Sequence, residues 1–344
     1  MNAQAEVQPT LAHNNTVIAV QNLLRLLNAP VTRREVSGAL QSRPGFPILS
    51  ISDISETLEE WNIETYTCKV KPEMLAQLTF PALAHLTTDD GYFVVITGFA
   101  DDRVTYFDPC TGQQDESLCA FNEKWQGVLM LASVEDASPD VDGEKRRYEE
   151  EAEVKNYVQS IKTLDGFLTD EECLYIIAYA DSKAKFDRSR VQDGDKIKRV
   201  ISPNRTSYSA YLQEREDAVF DGIFDKVSRY LNTPKENIEN LQCVRYGPGE
   251  EFKPHYDSNS DNGRLYTVLV YLNDGFAGGE TYFPFINLKI TPKKGTALIF
   301  KDLEENLELI SYSLHAGLPV AEGLKYACNI WVRNKPFARM ASTI

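Results

Sequence analysis

The sequence predicts an α+β protein of two domains in series: helices followed by an antiparallel sheet, then helices packed outside a β-sandwich or jelly roll. Three observations predict it. A chain of 344 residues is long enough for two ordinary domains. Apolar residues change from helical spacing to short alternating runs twice, once after Pro81 and again from Leu241 onward. Between Ser133 and Lys155 the apolar pattern lapses into a polar stretch holding Ser138-Pro139-Asp140 and the charged run 144–153. The domains are therefore expected at 1–140 and 156–344, with 141–155 as a connector that is itself compatible with helix.

Residues 17–27 read as a buried helix ending at Asn28. Thr32 with Glu35, at capping-box spacing, and Asp53 with Glu56 read as helix starts, and Ile54, Leu58 and Trp61 line one helical face. Strands follow at 92–99, 104–107 and 128–132, the first two joined by an Asp101-Asp102 turn. The second half opens with a strand near 160–164. Thr169 then caps a helix with Glu172 three positions on and Cys173, Ile176, Ile177 and Ala180 as its buried stripe. Val219, Phe220, Ile223, Phe224, Val227 and Leu231 mark a second amphipathic helix. Short strands are expected at 242–246, 265–272, 281–283, 297–300, 311–315 and 326–333, separated by Gly/Pro/Asn turns.

Apolar residues make up 42% and charged residues 25%, so a packed core is expected. The net charge of −15 is uneven: residues 1–140 hold 8 Lys/Arg against 19 Asp/Glu, a balance of −11. An acidic front half argues against a nucleic-acid groove, which needs clustered Lys and Arg, and would suit a basic peptide or protein partner. The six cysteines form no CxxC pair and no zinc spacing, and read as reduced thiols of a cytoplasmic protein. No run approaches the roughly 20 apolar residues of a membrane helix, and residues 1–10 carry no secretory pattern.

The chain has four histidines. His255-Tyr256-Asp257 sets an imidazole and a carboxylate on the same face of an extended segment, and His315 follows 58 residues after Asp257. Two histidines and one carboxylate on one octahedral face leave positions open for a co-substrate and O₂, as non-haem iron oxygenases require. The tripeptide alone is equally a loop with a hydrogen-bonded histidine. Lys325, ten residues after His315, opens a strand on which Ala327, Asn329, Trp331 and Arg333 share its face. A lysine pointing into a barrel is costly unless an anion meets it.

Residues from about 158 to 334 resemble the prolyl 4-hydroxylase family of Fe(II)/2-oxoglutarate oxygenases. The matching stretches run in the family's order: 167–173, Arg205-Thr206-Ser207, 244–249, His255-Tyr256-Asp257, 271–274, 278–284, 292–295, 315–320 and Gly323-Leu324-Lys325. The resemblance implies a double-stranded β-helix in which His255, Asp257 and His315 bind Fe(II) and Lys325 binds the distal carboxylate of 2-oxoglutarate, assisted by Tyr246. It also implies Thr267 as a further contact, Trp331 and Arg333 as pocket lining, O₂ as second co-substrate and ascorbate as an accessory. No side chain beyond the metal ligands need act as acid or base. The Gly278-Gly279 pair fits a tight turn.

The front half resembles the papain-like cysteine peptidase domain that trims leader peptides in bacteriocin exporters, giving a papain-like α+β fold. Gln8 ahead of the first helix, 91–95 on a strand, Asp108-Pro109 before Gly112, and Trp125-Gln126-Gly127 carry the likeness. Asn14 or Asn15 stands where that family has its nucleophilic cysteine, and Tyr92 where it has the general-base histidine. Thiolate–imidazole chemistry needs both, so no peptidase activity is expected and Asp108 is left as a scaffold residue. The function expected of the whole is hydroxylation of a peptidyl residue, proline by family analogy, with the front domain recruiting the peptide or protein substrate. Hydroxylation of another side chain or a free amino acid, and a non-catalytic binding or assembly role, are the alternatives.

Overall fold

The computed structural model describes residues 11–88, 91–134, 141–193, 196–212, 217–259 and 262–337, without the side chains of 11–14, 141 and 192–199. It divides into two compact units, Met1–Lys155 and Asn156–Ile344.

In the first unit, helices Leu11–Leu26, Arg33–Ser42 and Ile51–Glu59 precede a six-stranded antiparallel sheet. Its strand order is Ile63–Lys69, Trp125–Val134, Ala82–Leu86, Tyr92–Ala100, Arg103–Asp108, Gly112–Ser117. Alternation decides which face is buried: Ala82, Ala84 and Leu86, then Val94 and Ile96, then Val104 and Tyr106 all join one core with Phe121 and Trp125. Thr32 and Glu35 form the expected capping box. The start expected at Asp53 is corrected. Ser50 caps that helix and Asp53 is its third residue, each side chain accepting the other's backbone N–H. The charged run lies within a helix, Val141–Ser160, and Glu150 accepts the Arg33 N–H at 2.8 Å. Residues 141–155 are thus helical and count with the first unit, where the sequence suggested a connector.

The second unit is a double-stranded β-helix. Its larger sheet orders Lys162–Leu164, Ala297–Lys301, Arg264–Tyr271, Lys325–Arg333, Leu241–Tyr246, Tyr208–Leu212 and Asp187–Arg188. The smaller orders Phe252–His255, His315–Gly317, Thr281–Phe283 and Leu288–Ile290. One face of the large sheet, through Cys243, Val268, Val270, Cys328, Ile330 and Val332, packs on the helices Asp170–Tyr179 and Ala218–Leu231. The other, through Val244, Tyr246, Leu269, Tyr271, Phe300 and Ala327, packs on Phe283 of the small sheet. Both helices are capped as side-chain chemistry dictates, Thr169 with Glu172 in a capping box and Asp217 accepting from Val219 and Phe220 N–H. The strand expected at 311–315 is instead a 3₁₀ turn, Ser311–Ser313, followed by the strand His315–Gly317. The Ser313 hydroxyl donates to the Ile310 carbonyl at 2.7 Å and competes there with an extended backbone.

Candidate metal centre

His255 ends the strand Phe252–His255, Asp257 lies two residues beyond it, and His315 begins the strand His315–Gly317. The two strands are antiparallel neighbours with His255 directly opposite His315. Pairing therefore brings together residues that the chain separates widely. One donor atom from each of His255, Asp257 and His315 lies within 4.8 Å of the others, the one cluster of this kind among the described residues.

Hydrogen bonds fix which imidazole nitrogen is offered. His255 Nδ1 lies 2.8 Å from the Lys253 carbonyl and His315 Nδ1 lies 2.9 Å from the Ser313 carbonyl. A carbonyl can only accept, so each Nδ1 carries a hydrogen and each Nε2 is the ring nitrogen left for a ligand bond. Those Nε2 atoms face the Asp257 carboxylate at 3.7 and 3.6 Å, too far for hydrogen bonds. Burial and the neighbouring His315 push the His255 pKa down to about 3, so its imidazole is neutral at physiological pH. Burial alone would raise the Asp257 pKa, but His315, His255 and Arg264 outweigh it and hold the group below its ordinary value. Two imidazole nitrogens beside an ionised carboxylate are the donor set that a divalent cation needs. The ring of Phe252 stacks on His255 with centroids 3.4 Å apart, and Phe300 meets His315 edge-on at 4.8 Å, so both ligand rings are packed in place.

Lys325 is 3% exposed, and among the described residues it has no ion-pair partner. Its Nζ donates to the Gly279 carbonyl at 2.7 Å and lies 5.2 and 5.7 Å from the ring centres of Tyr246 and Tyr271. Burial lowers its pKa to about 8, opposed by Glu280. Gly279 sits at φ +70°, and a Cβ there would come within 3.0 Å of the Lys325 stem. The Gly278-Gly279 turn thus admits the lysine and supplies the carbonyl that orients it. Tyr246 is buried on the same inner face, with its pKa raised by desolvation.

The Thr267 hydroxyl lies 2.8 Å from Asp257 Oδ2 and 2.8 Å from Asp302 Oδ2, contacts that set it beside the carboxylate ligand. Arg333 is drawn away to the Asn262 carbonyl and to Glu239. Trp331 does lie among the buried site residues, where its side chain helps lower the Asp257 pKa and its ring centre lies 3.6 Å from the Arg264 guanidinium carbon. Arg264 is a residue that sequence reasoning missed: Glu239 accepts from its Nε and Nη2 at 2.8 and 2.9 Å, and its Nη1 donates to the Asp257 carbonyl at 3.0 Å. Asp302 was missed too, although it continues the inward alternation of Leu298 and Phe300.

Residues 241–333 match the model of the 2OG-Fe(II) oxygenase superfamily, and residues 13–137 match that of the Peptidase C39 family. Prolyl 4-hydroxylase 2 of Arabidopsis thaliana is 34% identical over 204 residues, which cover 51% of this chain and 68% of that protein. The chain belongs to the prolyl 4-hydroxylase family. Probable prolyl 4-hydroxylase 7 of the same plant is 35% identical over 200 residues; there the match spans 51% of this chain and 63% of the relative's length. Among solved structures, the viral collagen prolyl hydroxylase of Paramecium bursaria Chlorella virus-1, as its 2OG complex, is 34% identical over 51% of this chain and 96% of that one, with a TM-score of 0.42. The family resemblance read from residues 158–334 and the peptidase likeness of the front half both stand.

In that front half, the Tyr92 hydroxyl donates to Asp108 Oδ2 at 2.9 Å, while Asp108 Oδ1 accepts the Cys110 and Thr111 N–H groups at 2.7 and 3.1 Å. Asp108 is thereby the hub of a turn. Burial and Asp108 raise the Tyr92 pKa, so its phenol is a fixed donor and not a base. Asn15 is buried, with no partner for its Oδ1 among the described residues. Gln8 and the side chain of Asn14 lie outside the described residues. All six cysteines are free, and among the described residues no helix is long and apolar enough to cross a membrane.

Proposed function

We propose that this protein is an Fe(II)- and 2-oxoglutarate-dependent hydroxylase of peptidyl proline. The observation that carries the reading is the pairing of a three-donor cluster, its imidazoles oriented by backbone carbonyls, with a buried lysine that has no ion-pair partner among the described residues. His255, Asp257 and His315 would hold the iron, and Lys325, assisted by Tyr246, the distal carboxylate of 2-oxoglutarate. Bound together with O₂, these groups supply the oxidative chemistry: 2-oxoglutarate and O₂ become succinate and CO₂ as one oxygen atom enters a substrate C–H bond. Ascorbate is an accessory reductant in this reading.

The chain's own residues bind and orient. The two carbonyls behind the histidines accept from Nδ1 and turn Nε2 to the site, Phe252 and Phe300 hold the rings, and the aromatic faces of Tyr246 and Tyr271 exclude water around Lys325. No side chain is needed as a general acid or base. Proline as the target rests on family membership, and a peptide substrate suits a front unit of peptidase ancestry. There the loss of the cysteine and histidine leaves a surface for holding a peptide, and the −11 balance over 1–140 favours a basic one. The free cysteines suit the cytoplasm. Anaerobic addition of Fe(II) and 2-oxoglutarate should give a weak visible charge-transfer band that is absent in His255→Ala and His315→Ala. A band that persists in both variants would refute the ligand assignment.

A further inference from the structure

Asp302 stands out among the buried groups that the reading above does not use. It follows the strand Ala297–Lys301, is fully buried, and faces inward in register with Leu298 and Phe300. Its backbone is tied on both sides, the N–H to the Leu265 carbonyl at 2.8 Å and the carbonyl to the Ile310 N–H at 2.9 Å. Its Oδ1 has no hydrogen-bond partner among the described residues, and its Oδ2 lies 2.8 Å from the Thr267 hydroxyl. That same hydroxyl lies 2.8 Å from Asp257 Oδ2.

Counting protons resolves this arrangement. A threonine hydroxyl has one hydrogen to donate and two lone pairs to accept with. It cannot donate to two carboxylates at once, so one of the two short contacts must carry a proton from the acid. Asp257 has the Arg264 guanidinium beside it, whose Nη1 donates to the Asp257 carbonyl at 3.0 Å. Among the described residues Asp302 has no ion-pair partner and one oxygen with no donor, and it is fully buried.

We propose that Asp302 is a positioning residue for the metal centre: as a neutral acid it donates from Oδ2 to Thr267, which donates in turn to Asp257 Oδ2 and so fixes the orientation of the metal-binding carboxylate. Desolvation and the charge of Asp257 both push the Asp302 pKa up, against the Thr267 hydrogen bond and the more distant Arg264. The chain Asp302–Thr267–Asp257 plays for the carboxylate the part that the two backbone carbonyls play for the imidazoles. A neutral Asp302 also leaves the cluster one negative charge, not two, beside a divalent ion.

The inference rests on the ligand assignment above, and its test separates the two. Mn(II) binding to the full chain, measured by calorimetry, should weaken about 10- to 100-fold in Thr267→Val and in Asp302→Leu, the usual effect of removing a group that orients a ligand. Asp302→Asn, which keeps an uncharged donor at the same place, should restore affinity to within about threefold of wild type, since charge and hydrogen bond are both preserved. An ionised Asp302 would give the opposite pattern, with Asp302→Asn losing affinity as a charge is removed. Infrared difference spectra of the metal-free protein provide a second readout that needs no binding and no Leu variant. They should contain a protonated-carboxyl stretch that shifts in D₂O and disappears in Asp302→Asn. Absence of that band, or loss of Mn(II) affinity in the Asn variant, overturns the inference. His255→Ala serves as the reference: if it too binds Mn(II) normally, the ligand assignment itself has failed.

Discussion

Replacing Lys325 by methionine separates a ligand-binding lysine from a structural one, because the two roles predict opposite signs. The side chain is buried without an ion-pair partner among the described residues, and its pKa falls from 10.5 to about 8. That depression corresponds to about 3 kcal/mol of stability lost at neutral pH by keeping the ammonium charged. Methionine has a similar length and no charge, so it removes this cost. It also leaves the Gly279 carbonyl without its donor, which costs about 1–3 kcal/mol. The metal-free, co-substrate-free protein should therefore be unchanged or more stable by up to about 2 kcal/mol in urea denaturation. Affinity for 2-oxoglutarate, measured by calorimetry on the Mn(II)-loaded protein, should fall about 10- to 150-fold through loss of a charge-assisted contact of about 1.5–3 kcal/mol. Lower stability with unchanged 2-oxoglutarate affinity would show that the lysine is a structural element and would refute the reasoning.

The same lysine sets a pH dependence. It is charged in the free protein below about pH 8, and binding a carboxylate raises its pKa again, so 2-oxoglutarate affinity should be flat below that pH and fall above it; calorimetry across pH should show no such fall in Lys325→Met. In the front unit, Tyr92→Phe removes one donor from the Asp108 carboxylate and should destabilise that unit by roughly 1.5–3 kcal/mol in a thermal melt. Neither it nor the parent should cleave peptides or react with a thiol-directed peptidase probe. Expression without residues 1–155 should raise the apparent KM for a long peptide substrate while leaving slow, substrate-independent decarboxylation of 2-oxoglutarate intact. An unchanged KM would limit the front unit to a structural role.

How far the site could be read from sequence depended on whether its logic is local. Strand alternation placed Lys325, Trp331 and the inner face of the large sheet correctly, because period-two patterning is written residue by residue. The Thr32 and Thr169 caps were equally legible. Ser50 was passed over for Asp53 because both ends of a capping box look like helix starts. The contact of Thr267 with Asp302 was not legible because 35 residues separate them and no spacing rule connects the segments that bring them together. Arg264 with Glu239 escaped for the same reason, since a charged pair separated by 25 residues reads as two solvated side chains until the sheet closes over it. The 3₁₀ turn at Ser311–Ser313 shows a local hydroxyl contact overriding a pattern that looked like strand.

Mass spectrometry of proline-containing peptides incubated with the 344-residue chain, Fe(II), 2-oxoglutarate and O₂ tests the central claim most directly. The account predicts that a proline gains one oxygen atom, that succinate forms alongside it, and that both are lost when 2-oxoglutarate is omitted or in His255→Ala. Oxygen placed on another residue would contradict the substrate assignment. Product that forms equally without 2-oxoglutarate, or in His255→Ala, would contradict the role given to the His255, Asp257 and His315 centre.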